Sequence, residues 1–239
     1  MSRAKIKPLG IKAYGHIPHL PGSRIGKGDH KCEIGQAKIC TKKPRSPKDI
    51  VIVQEKLDGS CCSVAKKDNQ IYVLGRAGYE AHTSPFKMHR FFDEWVAANY
   101  KRFYELLNEG ERVVGEWLLQ AHGTKYNLQH EPFVPFDIMV QYERKTYDEV
   151  VRRVSKFDFV MPKLISYGLP ISIEDVTKRI KISGHGAIDE VEGAVWRVEN
   201  DGKVDFLAKY VRHEKIDGCY LSDKPIWNVD IDKWIQHSL

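Results

Sequence analysis

A lysine at the end of a strand-like run is the residue best placed for covalent chemistry. Lys56 follows the β-branched run at residues 50–55 and precedes Leu57-Asp58-Gly59, a sequence typical of a turn. A lysine amine is a nucleophile only when it is deprotonated, so burial or neighbouring cations must lower its pKa well below the usual value of about 10.4. The position before a glycine turn suits that role, although Lys-x-Asp-Gly alone also occurs in many surface hairpins.

Five more residues suited to binding a charged or aromatic ligand follow Lys56 within or beside strand-like runs. A glutamate or lysine on a strand is usually solvated, and a phenylalanine in an apolar run usually belongs to the core, so each residue alone says little. Their order along the chain is what carries information. The residues are Arg76 in Gly-Arg-Ala-Gly, Glu116 in Val-Val-Gly-Glu-Trp, Phe136 in Phe-Asp-Ile, Glu192 in Glu-Gly-Ala-Val-Trp-Arg and Lys209 in Phe-Leu-Ala-Lys-Tyr.

Short strands with helices between them must position these residues. The longest apolar repeat of helical spacing covers 86–109 and stops at Gly110, which predicts one long helix. Weaker helical patterns cover 146–155 and 173–181. Helices inserted among strands that pair as hairpins favour an α+β fold over a doubly wound parallel sheet. Strands are predicted at 50–55, 61–66, 71–75, 112–119, 133–141, 193–199 and 204–211.

Basic charge is concentrated at the start of the chain. Residues 1–50 carry twelve lysines and arginines against three acidic residues, a net charge of +9, and the remainder carries −3. Such a segment favours a phosphate-rich partner, because each Lys or Arg near a phosphate releases condensed counterions. A solvated tail is the alternative, but Tyr14 to Ser23 mixes aromatic, apolar and turn residues as an ordered loop does. Arg24 and Lys27, on a glycine-flanked loop, are the candidates to reach a phosphate.

In this order and at these positions, the residues resemble the nucleotidyltransferase motifs of the covalent ATP-dependent ligase and capping-enzyme superfamily. The resemblance is closest to the RNA ligases of phage and bacteria and covers about residues 50–212. The stretch His16-Ile-Pro-His-Leu-Pro-Gly-Ser resembles the segment before the nucleophile in one bacterial and phage branch. The resemblance implies an α+β nucleotidyltransferase domain of the ATP-grasp-like ligase adenylation type, with antiparallel sheets and packed helices.

The resemblance also implies a role for each motif residue. Lys56 attacks the α-phosphorus of ATP and holds AMP as a phosphoramidate, while Lys209 offsets charge on the α-phosphate. Glu192 helps to hold Mg²⁺ or Mn²⁺, which are hard cations that prefer oxygen ligands. The other expected ATP contacts are Glu55 at the adenine edge, Asp58 and Gly59 beside the nucleophile, Arg76 and Glu116 at the ribose hydroxyls, and Phe136, or its neighbour Phe133, stacked on the base.

Two positions depart from the family pattern. Many nick-sealing RNA ligases have Lys-x-Asp-Gly-x-Asn, and here Cys61 replaces the Asn, whose amide contacts a ribose or a 3′ end. Leu207 replaces the first lysine of the usual Lys-x-Lys that ends at Lys209. We expect Arg212 or the basic N-terminal segment to supply the missing phosphate contact.

The resemblance divides the chain into three parts. Residues 1–49 are a basic N-terminal extension that we expect to pack on the catalytic domain, and residues 50–212 are the adenylyltransferase catalytic domain. Residues 213–239 are expected to form a short C-terminal tail. DNA ligases and capping enzymes carry an OB-fold after the last motif, and the 28 residues beyond Val211 are too few for one. No C-terminal OB-fold is therefore expected.

The predicted function is an ATP-dependent RNA ligase that joins an RNA 3′-hydroxyl to a 5′-phosphate through lysyl-AMP and RNA-adenylate intermediates. Its expected partners are RNA ends or a nicked RNA duplex, with no obligate protein partner. The alternatives are a minimal ATP-dependent DNA ligase and a catalytically idle homologue that only binds nucleic acid.

Composition excludes several other classes. With 42% hydrophobic and 29% charged residues among 239, the chain is neither disordered nor collagen-like. No stretch reaches about 18 uninterrupted apolar residues and no apolar leader is visible, so we expect a cytoplasmic protein without membrane contact. The five cysteines lack Cys-x-x-Cys spacing and are expected as reduced thiols. The spacing of His16, His19, His30 and Cys32 fits no familiar zinc module, so no zinc site is predicted there.

Overall fold

Two antiparallel β-sheets form the centre of the structure, a computed structural model that describes residues 6–222 and 224–238. The short β-branched runs of the sequence supply most of the strands, because branched side chains pack well on a pleated surface. The strands among the described residues are β1 (Asp49–Lys56), β2 (Ser60–Lys67), β3 (Gln70–Gly75), β4 (Glu111–Trp117), β5 (Phe133–Val140), β6 (Glu143–Arg144), β7 (Leu164–Gly168), β8 (Gly193–Asn200) and β9 (Lys203–Val211).

The strands are arranged in sheets of four and five. The first sheet has the order β7-β1-β8-β9 and the second has the order β3-β2-β4-β5-β6. Every neighbouring pair is antiparallel. Residues 57–59 carry the chain from β1 in the first sheet to β2 in the second, so the turn after Lys56 lies where the two sheets meet. The predicted α+β fold with antiparallel sheets is confirmed.

Helices pack on the outer faces of both sheets. The patterns at 146–155 and 173–181 correspond to the fourth and fifth helices, as predicted. Among the residues that the structure describes, no helix combines the length and the apolar character needed to cross a membrane. The helices are α1 (Ile34–Thr41), α2 (Lys87–Ala98), α3 (Tyr100–Leu106), α4 (Tyr147–Val154), α5 (Ile173–Arg179) and α6 (Ile231–Ser238), with single 3₁₀ turns at Ala81–Thr83 and Ser155–Phe157.

The long helix predicted over 86–109 is instead two helices, α2 and α3, that meet at Asn99. The side-chain amide of Asn99 donates to the carbonyl of Trp95 at 2.9 Å, and its backbone N–H donates to the same carbonyl at 3.1 Å. Asparagine offers the backbone a local hydrogen bond that competes with helix propagation. The apolar spacing continues through the break, which is why periodicity alone missed it.

The larger core lies between the second sheet and helices α2, α3 and α4. The apolar residues of α2 recur at helical spacing, so Phe92 and Trp95 face the sheet. There they pack against Trp117 of β4 and Phe133 of β5, and all four side chains are at most 1% exposed. Phe133 is therefore a core residue, and its ring has no free face for a bound base.

A second core lies on the outer face of the first sheet, beneath α1 and α5. Side chains alternate between the two faces of a strand. Along β1, Val51 and Val53 point into this core, where they join Trp196 of β8. Gln54 and Lys56 lie on the other face and line the space between the sheets. The pleat of β1 thus separates the residues that stabilise the domain from those that face its cleft.

The N-terminal segment runs along the edge of the first sheet at β9. The backbone N–H of Leu20 donates to the carbonyl of Lys209 at 2.8 Å, and the N–H of Lys209 donates to the carbonyl of Pro18 at 2.9 Å. These bonds cover the edge of β9 with residues 18–20. They also bring the ordered-looking stretch at 14–23 beside the last motif of the sequence.

The described residues of segment 213–239 fold back onto the second sheet rather than projecting as a tail. The backbone N–H of Asn228 donates to the carbonyl of Leu119 at 3.0 Å. Its side-chain amide donates to the carbonyl of Leu118 at 2.7 Å. Trp234 of α6 is buried against Trp117 in the larger core. The end of the described chain is therefore part of the packed domain.

Candidate active site

A cavity of about 420 Å³ opens between the two sheets at the turn after β1. Its walls come from β1, β8 and β9 of the first sheet, from β2, β4 and β5 of the second, and from the N-terminal segment. The topology thus brings together motifs that are far apart in the sequence. The predicted site residues that line the cavity are Glu55, Lys56, Asp58, Gly59, Arg76, Glu116, Phe136 and Lys209.

A carboxylate holds the amine of Lys56. The Nζ atom lies 2.5 Å from Oε2 of Glu192, and both side chains are largely buried. Burial lowers the pKa of Lys56, but Glu192 and Glu116 together raise it more, so this pKa lies above the usual lysine value. The lowered pKa expected from the sequence is therefore wrong for this state, because two carboxylates outweigh the burial. The Lys56 amine is therefore protonated, and it has to lose a proton before it can act as a nucleophile.

Glycine at position 193 allows Glu192 to reach Lys56. β8 begins at Gly193, which is paired with Lys56 of β1 on one side and with Val211 of β9 on the other. A Cβ at this position would collide with the carbonyl oxygen of Tyr210. Only glycine therefore allows β8 to lie this close to β9. This close pairing positions the preceding residue, Glu192, beside Lys56.

The predicted ribose contacts, Arg76 and Glu116, line the cavity from the second sheet. Glu116 accepts a hydrogen bond from the N–H of Gly59 at 3.0 Å, and Arg76 donates to the carbonyl of Gly15 at 3.2 Å. Burial raises the pKa of Glu116 to about 7, although Lys56 opposes the rise. The Glu116 carboxyl therefore titrates near neutral pH in the absence of a ligand.

Phe136 forms an aromatic wall of the cavity together with Tyr14 of the N-terminal segment. Their ring centroids are 5.2 Å apart at an interplanar angle of 63°, an edge-to-face arrangement. Such pairs are more stable than a face-to-face sandwich. Phe133 lies in the core, so of the two stacking candidates Phe136 is the one that lines the cavity, and its stacking on a base stays a prediction. The sequence indicated that the Tyr14 stretch is ordered but gave no role to the Tyr14 ring.

A buried charge network fixes this wall from behind. Asp137 follows Phe136 and is fully buried. It accepts a hydrogen bond from the Tyr14 hydroxyl at 2.7 Å and is paired with Arg197 and Arg144. Burial and the adjacent Asp137 raise the pKa of Tyr14, so the hydroxyl stays protonated and donates. Sequence reasoning missed these partners, which converge from β5, β8, β6 and the N-terminal segment.

Glu55 occupies the strand face opposite to Lys56. Its carboxylate accepts hydrogen bonds from Ser183 Oγ at 2.5 Å and from the N–H of Gly184 at 2.8 Å. Burial raises the pKa of this carboxyl, which those two hydrogen bonds partly oppose. An adenine contact through the Glu55 carboxylate disagrees with this geometry, because adjacent residues of a strand point to opposite faces. A contact through the Glu55 backbone stays a prediction.

Lys209 reaches the cavity from β9 and lies beside an acidic residue of the N-terminal segment. Its Nζ is 3.7 Å from Oδ1 of Asp29. Burial lowers the pKa of Lys209, and the positive charge of Lys56 lowers it further. Leu207 and Cys61, the two departures from the family pattern, also line the cavity. Burial raises the pKa of the Cys61 thiol, so this side chain is neutral in the site.

The three expected phosphate-binding residues outside the motifs do not line the cavity. Arg24 is paired with Asp217 at 2.8 Å. Arg212 is paired with Glu190 and donates to a backbone carbonyl. Lys27 is exposed. Inside the cavity these side chains therefore do not replace the lysine missing at Leu207, and a contact of theirs with polynucleotide phosphates stays a prediction.

The carboxylate of Asp58 contacts two residues that are distant in the sequence, Gly123 and Lys215. Its Oδ2 atom accepts from the N–H of Gly123 at 2.8 Å and lies 2.6 Å from Nζ of Lys215. The sequence singled out Asp58 for its place in Lys-x-Asp-Gly, but no local pattern pointed to Lys215. A direct contact between Asp58 and a nucleotide stays a prediction.

The carboxylate of Glu192 fits a divalent cation that is shared with a nucleotide. Among the residues described, no three or more His, Cys, Asp or Glu side chains are grouped so as to hold a metal by themselves. Mg²⁺ usually keeps several waters and binds through one or two carboxylates and the phosphates of its substrate. A single carboxylate beside the nucleophile matches that requirement.

Comparison with known proteins agrees with the motifs and the fold. The sequence profile of the RNA ligase family matches residues 49–211. A Naegleria gruberi RNA ligase with PPi has a TM-score of 0.56 at 20% identity, covering 82% of this chain and 59% of that chain. A mutant of the N. gruberi ligase with ATP and Mn has a TM-score of 0.55 at 18% identity, with coverage of 82% and 59%.

A second mutant of the N. gruberi ligase, with AMP and Mn, has a TM-score of 0.52 at 17% identity, covering 84% of this chain and 61% of that chain. The chain thus spans about three fifths of the length of these solved ligases. No curated protein matches it. At these identities the structural likeness shows the fold. Because the family profile covers well over half of the sequence, the chain belongs to the RNA ligase family.

Proposed function

We propose that the chain is an ATP-dependent RNA ligase that joins an RNA 3′-hydroxyl to a 5′-phosphate. The amine of Lys56, which lines the cavity and is paired with the carboxylate of Glu192, carries the proposal. Transfer of AMP needs a nucleophile, charge neutralisation and a bound base, and Phe136 adds the aromatic face. Family membership and the ATP, AMP, Mn and PPi of the solved N. gruberi ligases support the same reading.

In the first step the amine of Lys56 attacks the α-phosphorus of ATP. The ammonium first loses a proton to solvent as its ion pair with the Glu192 carboxylate, 2.5 Å away, is released. The N–P bond forms while the P–O bond to pyrophosphate breaks, pyrophosphate leaves with the electron pair, and the nitrogen loses a second proton. Lys209 offsets the charge that develops on the α-phosphate.

The remaining two steps return the lysine and seal the RNA. An oxygen of the RNA 5′-phosphate attacks the phosphorus of lysyl-AMP, and the N–P bond breaks. The lysine nitrogen leaves with the electron pair and takes up a proton, and RNA-adenylate is released from Lys56. The RNA 3′-hydroxyl then attacks the 5′-phosphate, loses its proton, and AMP departs. RNA ends or a nicked RNA duplex are the proposed substrates.

The other cavity residues bind and orient the nucleotide. We assign the ribose hydroxyls to Arg76 and Glu116, the adenine face to Phe136, and Mg²⁺ or Mn²⁺ to Glu192 with the nucleotide phosphates. When bound, the metal supplies positive charge at the phosphates. The five cysteines form no disulfide, which suits the reducing cytoplasm that we propose for this protein.

Adduct formation with ATP tests the proposal most directly. Incubation with ATP and Mg²⁺ or Mn²⁺ should add one adenylyl group, and peptide mapping by mass spectrometry should locate it on Lys56. The variants Lys56→Ala and Lys56→Arg should give no adduct, whereas Lys203→Ala, at an exposed lysine at the start of β9, should adenylylate normally. An adduct that survives either Lys56 variant contradicts the assignment.

Sealing assays then separate the alternatives. Adenylylated protein should join single-stranded RNA ends or a nicked RNA duplex and leave a nicked DNA duplex open. Preferential sealing of the DNA nick would instead identify a minimal DNA ligase. Nucleic-acid binding without any adduct would identify an idle homologue.

A further inference from the structure

A buried lysine lies beneath the turn that carries the nucleophile. The side chain of Lys215 is 3% exposed, and its Nζ atom lies 2.6 Å from Oδ2 of Asp58. It also donates to the hydroxyl of Thr124. Lys215 follows β9 and lies outside the range that the family profile matches. Because the lysine is enclosed, it cannot touch a nucleotide or an RNA.

The surrounding backbone holds Lys215 in place. Its N–H donates to the carbonyl of Arg212 at 3.3 Å, which closes a turn after β9. The next residue packs so closely on the 121–124 loop that a Cβ at Gly123 would collide with the carbonyl oxygen of Ile216. Tyr220 N–H donates to the carbonyl of His122 at 2.7 Å. The loop and the segment after β9 are therefore interlocked.

The same elements clamp the turn between Lys56 and β2. The Asp58 carboxylate accepts from the Gly123 N–H at 2.8 Å as well as from Lys215. The backbone N–H of Asp58 donates to the hydroxyl of Tyr126 at 3.0 Å. The Gly59 N–H donates to Glu116 at 3.0 Å. The backbone N–H groups of Asp58 and Gly59 are thus each tied to a residue far away in the sequence.

An unpaired charge at this position would be costly. Removing one partner of a buried ion pair leaves the other uncompensated, which destabilises a protein far more than removing both. Lys215 therefore holds the Asp58 carboxylate in its observed position. In this arrangement the Asp58 carboxylate is paired with Lys215, whereas the direct carboxylate partner of the Lys56 amine is Glu192.

We propose that Lys215 is a positioning residue that holds Asp58, and through it the turn at 57–59, so that the Lys56 amine points at the α-phosphorus. The proposal rests on the proposed function and adds to it a residue from beyond the motif region. Small displacements of a nucleophile are sufficient for the effect, since a misplacement of about 1 Å can cost on the order of 10²-fold in rate.

The first test compares Lys215→Met with Lys224→Met, a control at an exposed lysine of the same segment. Lys215→Met should lower the rate of adduct formation at saturating ATP by about 10²-fold. The KM for ATP should stay within about threefold, because Lys215 makes no contact with the nucleotide. The Lys224 variant should match the wild type. A normal rate in Lys215→Met, or a loss confined to KM, overturns the proposal.

A double variant separates positioning from simple stability. In Lys215→Met with Asp58→Asn the uncompensated carboxylate is gone, so the thermal midpoint should recover towards the wild-type value. The rate of adduct formation should stay low, because the turn still lacks its anchor. Recovery of both the midpoint and the rate would make Lys215 only a structural residue and would overturn the proposal.

Amide hydrogen exchange distinguishes failure of this proposal from failure of the proposed function. If the wild type forms no AMP adduct, the ligase assignment fails, yet the anchor is still measurable. Lys215→Met should speed exchange at Asp58 and Gly59 while strand β8 keeps its protection. Unchanged exchange at the turn overturns the anchoring role whatever the adduct assay shows.

Discussion

The Nζ atom of Lys56 lies 2.5 Å from Oε2 of Glu192, so the proposed nucleophile and the proposed metal ligand are paired with each other. The pair keeps two largely buried charges compensated. A bound nucleotide with its metal would give Glu192 a second cation to contact. Substrate binding would then weaken the ion pair and free the Lys56 amine, because the Glu192 carboxylate cannot contact the amine and the metal equally well.

Replacing Glu192 by alanine should impair AMP transfer severely. We expect a loss on the order of 10²-fold or more at saturating ATP, as for removal of other charge-stabilising groups. Rates measured across a Mg²⁺ titration should show a weakened metal dependence. Glu190→Ala, at an exposed glutamate two residues away, serves as the control. Near-normal rates in the Glu192 variant would move the metal site elsewhere.

Truncating Phe136 to alanine should raise the KM for ATP more than it changes the metal requirement. The ring supplies the aromatic face of the cavity, whereas the metal is assigned to Glu192. GTP should fail as a substrate, because its base presents the opposite hydrogen-bond pattern and leaves buried groups unpaired. Tyr142→Ala, at an aromatic residue that is 73% exposed, should change neither quantity. Equal adenylylation and guanylylation of the wild type would favour a capping-type enzyme.

The double variant Arg24→Ala with Lys27→Ala should weaken the salt dependence of RNA binding. If both side chains contact phosphates, the slope of log affinity against log salt should flatten by up to about two. Arg24 would then exchange its present partner, Asp217, for a phosphate. The exposed pair Lys42→Ala with Lys43→Ala is the matched control. An unchanged slope in the first variant would show that the loop is only solvated.

Glu116→Gln should change the pH dependence of stability in the absence of nucleotide. Unfolded glutamate ionises near its usual pKa of 4.5, whereas burial raises the pKa of Glu116 to about 7 in the folded protein. Between these values the folded state binds more protons than the unfolded state, so the wild-type free energy of unfolding falls as pH rises. Glutamine stays neutral throughout.

The free energy of unfolding of Glu116→Gln should therefore rise relative to that of the wild type from pH 4.5 to pH 7. Above pH 7 the difference between the two should stay constant. Its steepest possible slope is about 1.4 kcal/mol per pH unit. Denaturant titrations at a series of pH values measure it. Parallel pH profiles for the two proteins would contradict the raised pKa.

Local patterns predicted seven of the nine strands among the described residues and missed β6 and β7, because turn residues and β-branched runs act over a few positions. They predicted neither the break at Asn99, where one side-chain amide overrides a continuous apolar repeat, nor the pairing of Lys56 with Glu192. Side chains alternate between the two faces of a strand, so Glu55 and Lys56 of β1 point in opposite directions. This alternation could have been used to predict the orientation of the Glu55 carboxylate from the sequence.

The partners that complete the site are distant in sequence and carry no local signature. Tyr14 reaches Phe136 across 122 positions, and Lys215 reaches Asp58 across 157. Tyrosine and lysine are common on surfaces, so neither residue type marks itself as buried. Only the topology, which wraps both ends of the described chain around the two sheets, brings Tyr14 to the cavity and Lys215 to Asp58.

The bonds between residues 18–20 and β9 also constrain how the protein is made. The N-terminal segment leaves the ribosome about 190 residues before its partner strand. At translation speeds of about 5 to 20 residues per second, it waits on the order of ten seconds or longer without that partner. Contacts of such long range close late in folding. The nascent chain therefore has no complete nucleotide site until β9 has been synthesised, and residues 18–20 take their place only after that strand.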